Sequence, residues 1–337
     1  MVRYNVNRRH MAVHMISAPS KTIESPGAPP SISVVIVSDY AAGGPEGWKD
    51  VRTALTALAG QDIAEPVEYI LCESERFRDD LPADVKTILP SLRILIVPEL
   101  QSYAVKNYGV RASSAEFVAI LDADCVPGPS WLKRLVSPLR GQPKAAAVSG
   151  RTVYLSDSLS VRVCALLGRS YLDTGSAGET QFIAINNCAF RREAYLAHPL
   201  PTGLGTFSSH MQCEALRRAG WKLLFDPEIR VVHDFEGWSM EADFRRNRGY
   251  GTIRTRLEDA SMPYAWLARL GRPSILPILT GKLIHSWRDC IRCGSQYGVR
   301  WFQLPIAMII SVVVHLLEIP GMLEAYSGGG LRTSHFR

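Results

Sequence analysis

Apolar and polar positions along this 337-residue chain change period in a regular order. Ser31–Ser38, SISVVIVS, is a β-branched run that predicts a first core strand. Trp48–Gly60 follows, with Val51, Leu55 and Leu58 at helical spacing. Val67–Cys72 predicts a second strand, ending in Glu73-Ser74-Glu75, and Leu92–Val97 a third. Gln101–Ala112 predicts a helix carrying Lys106 and Asn107, before another apolar strand over Phe117–Leu121. Pro127, Gly128 and Pro129 stop that strand, and WLKRLVSPL from Trp131 predicts the next helix. Strands alternating with helices in this way predict a parallel sheet. Further on, Gly203–His210 predicts a loop, and Met211–Ala219 a helix closed by Gly220. Trp221–Phe225 and Ile229–Val232 predict two short strands that end on His233-Asp234.

The chemistry concentrates after Leu121. Asp122 and Asp124 stand at the carboxyl end of a buried strand, with one small residue between them. Open α/β sheets bind ligands at that edge. Two carboxylates there can hold Mg²⁺ or Mn²⁺ through hard oxygen ligands and leave the ion free to clamp a diphosphate. The competing expectation is that the pair ends a strand and caps a helix.

Composition narrows the choice. Hydrophobic residues make up 47% of the chain and charged residues 21%, with a net charge of +6. This mild positive excess suits an anionic substrate or an anionic membrane surface, and is too small and scattered for nucleic acid. No G-x-G-x-x-G follows the first strand, which weakens a nicotinamide-dependent reading, and no P-loop occurs. The seven cysteines lie mostly in apolar segments and fit a reducing cytoplasm. Cys290 and Cys293 have no second pair at zinc spacing and are read as one face of a helix. Residues 1–30 contain no apolar stretch of signal-peptide length and end in a Pro/Ser/Gly-rich linker expected to be disordered.

Three blocks in order, SISVVIV, VEYILCESE and YAVKNYGVRASSAEFVAILDADCVPGPSWL, resemble the nucleotide-sugar half of family 2 glycosyltransferases. The resemblance covers about 31–256. It implies an α/β, GT-A type fold: a mostly parallel central sheet flanked by helices, with 31–130 as the nucleotide-sugar half and 131–256 as the acceptor half. It implies that Asp122-Ala123-Asp124 is the DxD metal motif, with Asp124 the more direct ligand and His233 joining the metal or diphosphate. Ser38, Tyr40, Glu73, Lys106, Asn107 and Asp122 fall at nucleotide-sugar-binding places. The arginine-rich run FRRNRGYGTIRTR, with Arg245, Arg246 and Arg248, matches a basic segment that covers the donor diphosphate. Arginine forks suit phosphate oxygens. Phe182–Glu193, FIAINNCAFRRE, resembles the family's strand before the acceptor region, with Asn187 in its usual place, and Trp238 falls on the acceptor side. The implied reaction is inverting and metal-dependent. It moves a sugar from a nucleotide-diphosphate donor, UDP on family frequency, to a polysaccharide, lipid or polyprenyl-phosphate acceptor.

One block departs from the family. Counting back from Arg217-Arg218-Ala219-Gly220 puts Ser208-Ser209 where most members carry a Glu-Asp pair whose Asp is the general base. His210 is the first substitute, because imidazole titrates near neutrality, and Glu214 the second. An acceptor phosphate would need little help from a base. The departure also leaves open a non-catalytic nucleotide-sugar-binding or assembly partner of a polysaccharide system.

The remaining segment, 257–337, predicts a C-terminal helical region. Trp301–Leu317 carries no formal charge, and Arg269, Arg272, Lys282, Arg288, Arg292 and Arg300 lie before it. Basic residues beside apolar helices suit peripheral or monotopic association with the inner membrane face. The competing expectation is a helical subdomain packed on the core.

Overall fold

The computed structural model describes residues 30–38, 48–233, 235, 237–329 and 331. The expected disordered tail, Tyr40 and Asp234 lie outside the described residues. The strands are β1 (Ile32–Val37), β2 (Val67–Ser74), β3 (Leu92–Val97), β4 (Phe117–Asp122), β5 (Cys125–Pro127), β6 (Ala145–Tyr154), β7 (Gly178–Thr180), β8 (Asn187–Arg191) and β9 (Lys222–His233). They form one sheet in the order β3-β2-β1-β4-β8-β6-β9-β5, with β7 also on β9. The helices are α1 (Lys49–Ala59), α2 (Val85–Ile88), α3 (Ser102–Ala112), α4 (Trp131–Gly141), α5 (Leu159–Arg169), α6 (Arg192–Ala197), α7 (Phe207–Arg218) and α8 (Trp238–Glu258), followed by α9 (Ala265–Ala268), α10 (Ile275–Cys293), α11 (Leu304–Leu316) and α12 (Ile319–Tyr326).

The first four strands in chain order pair in parallel, and β1 has every residue buried. That explains why they read as near-continuous apolar runs: helices cover both faces of the sheet. Val37 pairs with Cys72 on one side and Asp122 on the other, so Ser38, Glu73 and Asp122 share one carboxyl edge. The sheet turns antiparallel at β4–β8 and β8–β6, and returns to parallel at β6–β9. Two apolar clusters fill its faces. One holds Leu55, Leu121, Trp131 and Leu135; the other holds Val105, Ile120, Phe190 and Leu216.

Three expected elements differ. The strands expected at Trp221–Phe225 and Ile229–Val232 are one bent strand, β9. Its register skips between Asp226 and Arg230 opposite Gly150 and Arg151, a bulge at Pro227, which has no N–H to give the ladder. Helix α7 begins at Phe207 and takes Ser208, Ser209 and His210 into its first turn. The strand expected from Phe182 begins only at Asn187.

Helices α10 to α12 pack on α5 and α8 through two clusters of their own. The contact of α8 with α12 needs bare backbone. A Cβ on Gly321 would lie 1.8 Å from the Arg246 carbonyl oxygen, and one on Gly249 would lie 2.0 Å from the Glu318 oxygen. Both helix backbones would have to separate, so Gly321→Ala is expected to cost about 3 kcal/mol. Urea unfolding of the variant beside the wild type measures this.

Beneath that crossing, Lys282 Nζ pairs with the fully buried Glu318 carboxylate. His315 Nδ1 lies 3.1 Å from Glu318 Oε1, and His315 Nε2 lies 2.7 Å from Ser286 Oγ. A carboxylate only accepts, so Nδ1 carries the proton and Nε2 accepts from the serine hydroxyl.

Candidate active site

A cleft of about 230 Å³ opens where the sheet changes direction. Its floor is the turn after β4, and its walls come from α3, α5, α7 and α8. The local sequence explains the floor. β4 is buried up to Leu121, and Pro127 to Pro129 then turn the chain toward α4, leaving Asp122 and Asp124 on the rim of the sheet.

Each carboxylate faces a cation. Lys106 Nζ, almost fully buried on α3, lies 2.7 Å from Asp122 Oδ1 and donates to Ser102 Oγ at 2.6 Å. His233 Nε2, at the end of β9, lies 2.9 Å from Asp124 Oδ2. The antiparallel pairing of Cys125 with His233 brings these two together, a contact across more than 100 residues of chain. Burial opposes a charge on His233, but the Asp124 carboxylate and Tyr154 beside it hold its pKa well above the usual imidazole value.

Asp124, Cys125 and His233 each offer a ligand atom within 4.8 Å of the others. The Cys125 thiol is fully buried, and burial with two neighbouring aspartates pushes its pKa far up. A protonated thiol is no ligand. The Asp124 carboxylate oxygen remains, and His233 Nε2 would join it once an ion displaced the proton that Asp124 holds there; both face the cleft. That donor set fits Mn²⁺ or Mg²⁺ with positions left over for substrate oxygens.

The α8 wall supplies cations. Arg245 is buried, donates to Glu241 Oε1 at 2.6 Å and to the Cys164 carbonyl at 3.3 Å, and its Nη1 makes no hydrogen bond among the described residues. Arg248 donates to the Leu167 carbonyl at 3.2 Å and lies over the Tyr171 ring. Both line the cleft. Glu241, Tyr154 and Arg169 line it too, and none was singled out from sequence. Arg169 donates to Asn186 Oδ1 at 3.1 Å and to Tyr154 Oη at 3.2 Å. The spacing of Val161, Cys164, Ala165 and Gly168 is the signal that would have found α5 and its cleft-facing side.

His210 lies in the cleft wall, its ring against Tyr171, Phe182 and Phe207 at 4.6–5.1 Å between centroids. Burial and the nearby Arg248 bring its pKa down to about 4. Such an imidazole is neutral at pH 7 but accepts a proton poorly, which argues against His210 as a base. The same shift carries a stability expectation. Between pH 6.5 and 4 the unfolded chain binds a proton here that the folded chain does not, so stability falls with pH in that window, by about 3 kcal/mol in all. His210→Phe should flatten that part of the curve, read by urea unfolding from pH 7 to 4.

Several expected site residues are not brought to the cleft. Glu214 faces outward on α7 and pairs with Arg217 at 3.0 Å and Arg218 at 3.1 Å. Arg246 points to the opposite side of α8 and pairs with Glu324. The Asn107 amide is spent on the framework, donating to the Leu200 carbonyl at 2.8 Å and accepting from Tyr195 Oη at 3.0 Å. Asn187 accepts from Trp131 Nε1 at 2.7 Å and donates to the Arg151 carbonyl at 3.1 Å, tying α4 to β6. Trp238 is exposed at the start of α8, with its ring against Phe235. Glu73 is buried at the end of β2, where Oε1 accepts from the Ser74 N–H at 2.7 Å. Ser38 is buried at the end of β1. Asp122, Asp124, Lys106, His210, His233, Arg245 and Arg248 are the expected residues that share the cleft.

Known proteins match this arrangement. A family model described as Glycosyl transferase family 2 matches residues 34–198. Glycosyltransferase AglE of Haloferax volcanii is 32% identical over 97 residues, covering 28% of this chain. The chain spans about a third (32%) of the length of that curated relative. The solved structure of the mannosyltransferase PcManGT from Pyrobaculum calidifontis, in complex with GDP-Man and Mn²⁺, is similar over 86% of this chain and 87% of that one. The TM-score is 0.51 at 16% identity, a likeness of fold. With a mostly parallel sheet of the GT-A type and a family model that begins in β1 and ends beyond α6, this chain carries a glycosyl transferase family 2 region over residues 34–198.

Proposed function

We propose that this protein transfers a sugar from a nucleotide-diphosphate donor to an anionic, lipid-linked acceptor, with Mn²⁺ or Mg²⁺ assisting. The observation that carries the reading is the Asp124–His233 pair on the floor of a cleft whose wall holds Arg245 with an unmatched Nη1. Asp124 and His233 would hold the ion, which when bound neutralises charge on the departing nucleoside diphosphate. Lys106 fixes the Asp122 carboxylate at the same edge. Arg245 Nη1 and the Arg248 guanidinium supply donors for phosphate oxygens. The apolar walls from α5 and α7 exclude water that would hydrolyse the donor.

The acceptor class follows from what the cleft lacks. Ser209 donates its hydroxyl to the Thr206 carbonyl at 3.1 Å and cannot take a proton at neutral pH. A phosphate oxygen is already anionic. It would attack the anomeric carbon as the bond to the diphosphate breaks on the opposite face, so configuration inverts and no proton moves. The neighbour's ligand makes GDP-mannose the first donor to test, beside UDP-sugars.

The unfilled base position also favours a second reading, a non-catalytic nucleotide-sugar-binding partner. Glu241, the remaining cleft carboxylate, is engaged by Arg245. The test is transfer of radiolabelled sugar from GDP-mannose and UDP-sugars to a polyprenyl phosphate with Mn²⁺, beside thermal shift with the same nucleotides. Transfer unaffected by Glu241→Gln supports the anionic acceptor. Nucleotide binding without transfer or donor hydrolysis favours the partner reading. Absence of both overturns the donor site.

A further inference from the structure

Helix α11 presents one apolar stripe outward. Phe302, Ile306, Ile309, Val313 and Leu316 are exposed at successive steps of three or four residues, while Ala307, Ser311 and Val314 on the opposite side are buried. α10 lies alongside. Trp287 Nε1 donates to Ser311 Oγ at 3.1 Å, and Ser286 meets His315. Its exposed Ile284, Trp287 and Ile291 therefore continue the same face. Trp301, 81% exposed, stands at one end of it.

Around this face positive charge predominates. Residues 265–317 carry six Lys and Arg against a single acid, Asp289, which accepts from Ser170 Oγ. Of the six, Arg269, Arg272, Arg288, Arg292 and Arg300 are exposed. Apolar and aromatic residues rimmed by arginines fit a bilayer interface that bears anionic headgroups.

The face also borders a groove that shares a lining residue with the cleft. That groove is lined by Tyr154, Arg162, Tyr297, Arg300 and Trp301, and Tyr154 lines the cleft as well. By length and composition Trp301–Tyr326 could cross a membrane, but 39% of its apolar 18-residue window is buried inside the protein. α11 itself has 13 residues, about 20 Å of helix against a hydrocarbon core of about 30 Å. Its inner side packs on α5 and α10, and a buried glutamate follows it. That geometry lies on a bilayer rather than through it.

We propose that the α10–α11 face docks flat on an anionic lipid bilayer, with the Tyr154–Trp301 groove opening from that surface to the cleft. This goes beyond sugar transfer and does not depend on it. The test is sedimentation of the full chain with phosphatidylcholine vesicles, with and without phosphatidylglycerol. The wild type should sediment only with the phosphatidylglycerol vesicles, and less so at high salt. Ile309→Asp/Val313→Asp should stay in the supernatant, with at least a tenfold loss of binding at an unchanged melting temperature. Arg292→Glu/Arg300→Glu should lose the preference for phosphatidylglycerol.

Wild-type protein left in the supernatant with both vesicle types would overturn the proposal. So would equal binding to both. A dimer in light scattering that the Ile309/Val313 substitutions dissociate would assign the face to a second copy instead. Retention after alkaline carbonate extraction would assign a spanning helix. No donor or metal enters these assays, so a failed transfer reaction leaves them intact.

Discussion

Asp124→Asn is expected to abolish the Mn²⁺-dependent stabilisation of this protein by a nucleoside diphosphate, and to lower sugar transfer by roughly 10²–10⁴-fold. Asparagine keeps the shape of the side chain but loses the charge. A divalent ion loses its carboxylate ligand, and His233 loses the anion 2.9 Å away that holds its pKa up. Charge stabilisation by a bound ion is worth several kcal/mol, and each 1.36 kcal/mol is tenfold in rate. Thermal shift with GDP and UDP, with and without Mn²⁺, reads the binding half; labelled transfer reads the other. Glu214→Gln is the matched control. Its carboxylate lies on the outer face of α7 with Arg217 and Arg218, so both readouts should stay at the wild-type level. A variant Asp124→Asn that still binds nucleotide with the same metal dependence would remove Asp124 from the metal site.

The second large effect is on stability. Glu318→Ala removes a fully buried carboxylate and leaves the Lys282 ammonium without its main counter-charge. Burial brings the Lys282 pKa down to about 8, so the group is still charged at neutral pH. Breaking such a buried pair typically costs about 3–5 kcal/mol. Equilibrium unfolding in urea at pH 7 measures it, and a loss below about 1 kcal/mol would show the pair to be energetically idle. The pH dependence follows with a definite sign. Burial pushes the Glu318 carboxyl up, but Lys282 and the His315 hydrogen bond pull it further down, well below its ordinary 4.5. A depressed carboxylate contributes stability that is complete above pH 4.5 and is lost as pH falls below it. Glu318→Ala should therefore remove part of the acid sensitivity below pH 4.5, a window that lies mostly below the one His210 controls.

The sheet and the cleft floor were legible because their signals are local. A parallel strand buried on both faces writes itself as an unbroken apolar run, and the acids beyond β4 interrupt that run at the sheet edge. Lys106 is named only through the family resemblance of its block. What stayed hidden depends on contacts between distant segments. Arg169 reaches the cleft from α5, a helix with no polar mark of function. Asn187 carries a residue type that binds ligands in one context and braces a framework in another, and here the Trp131 indole claims it. α7 starts a turn early after two glycines with positive φ, Gly203 and Gly205, whose composition reads as continuing loop. That single turn puts Ser209 and His210 on the cleft and Glu214 on the outer face. Pro227 hid the continuity of β9 because a strand that bulges and a strand that ends look alike along one chain.

Helix α8 has two jobs on opposite sides. One side gives Arg245 and Arg248 to the cleft, while Gly249 and the Arg246 carbonyl press on α12 too closely for any side chain between them. Arg246 and Glu324 lock the same two helices together. The crossing therefore leaves little freedom for independent adjustment. A change that shifts α12 by an ångström moves the cleft-lining arginines with it, so the C-terminal helices set how far Arg245 and Arg248 stand from the opposite wall. Substitutions on the outer side of α11 act on the proposed bilayer face alone, but any attempt to rebuild α12 must be judged as an alteration of the cleft itself.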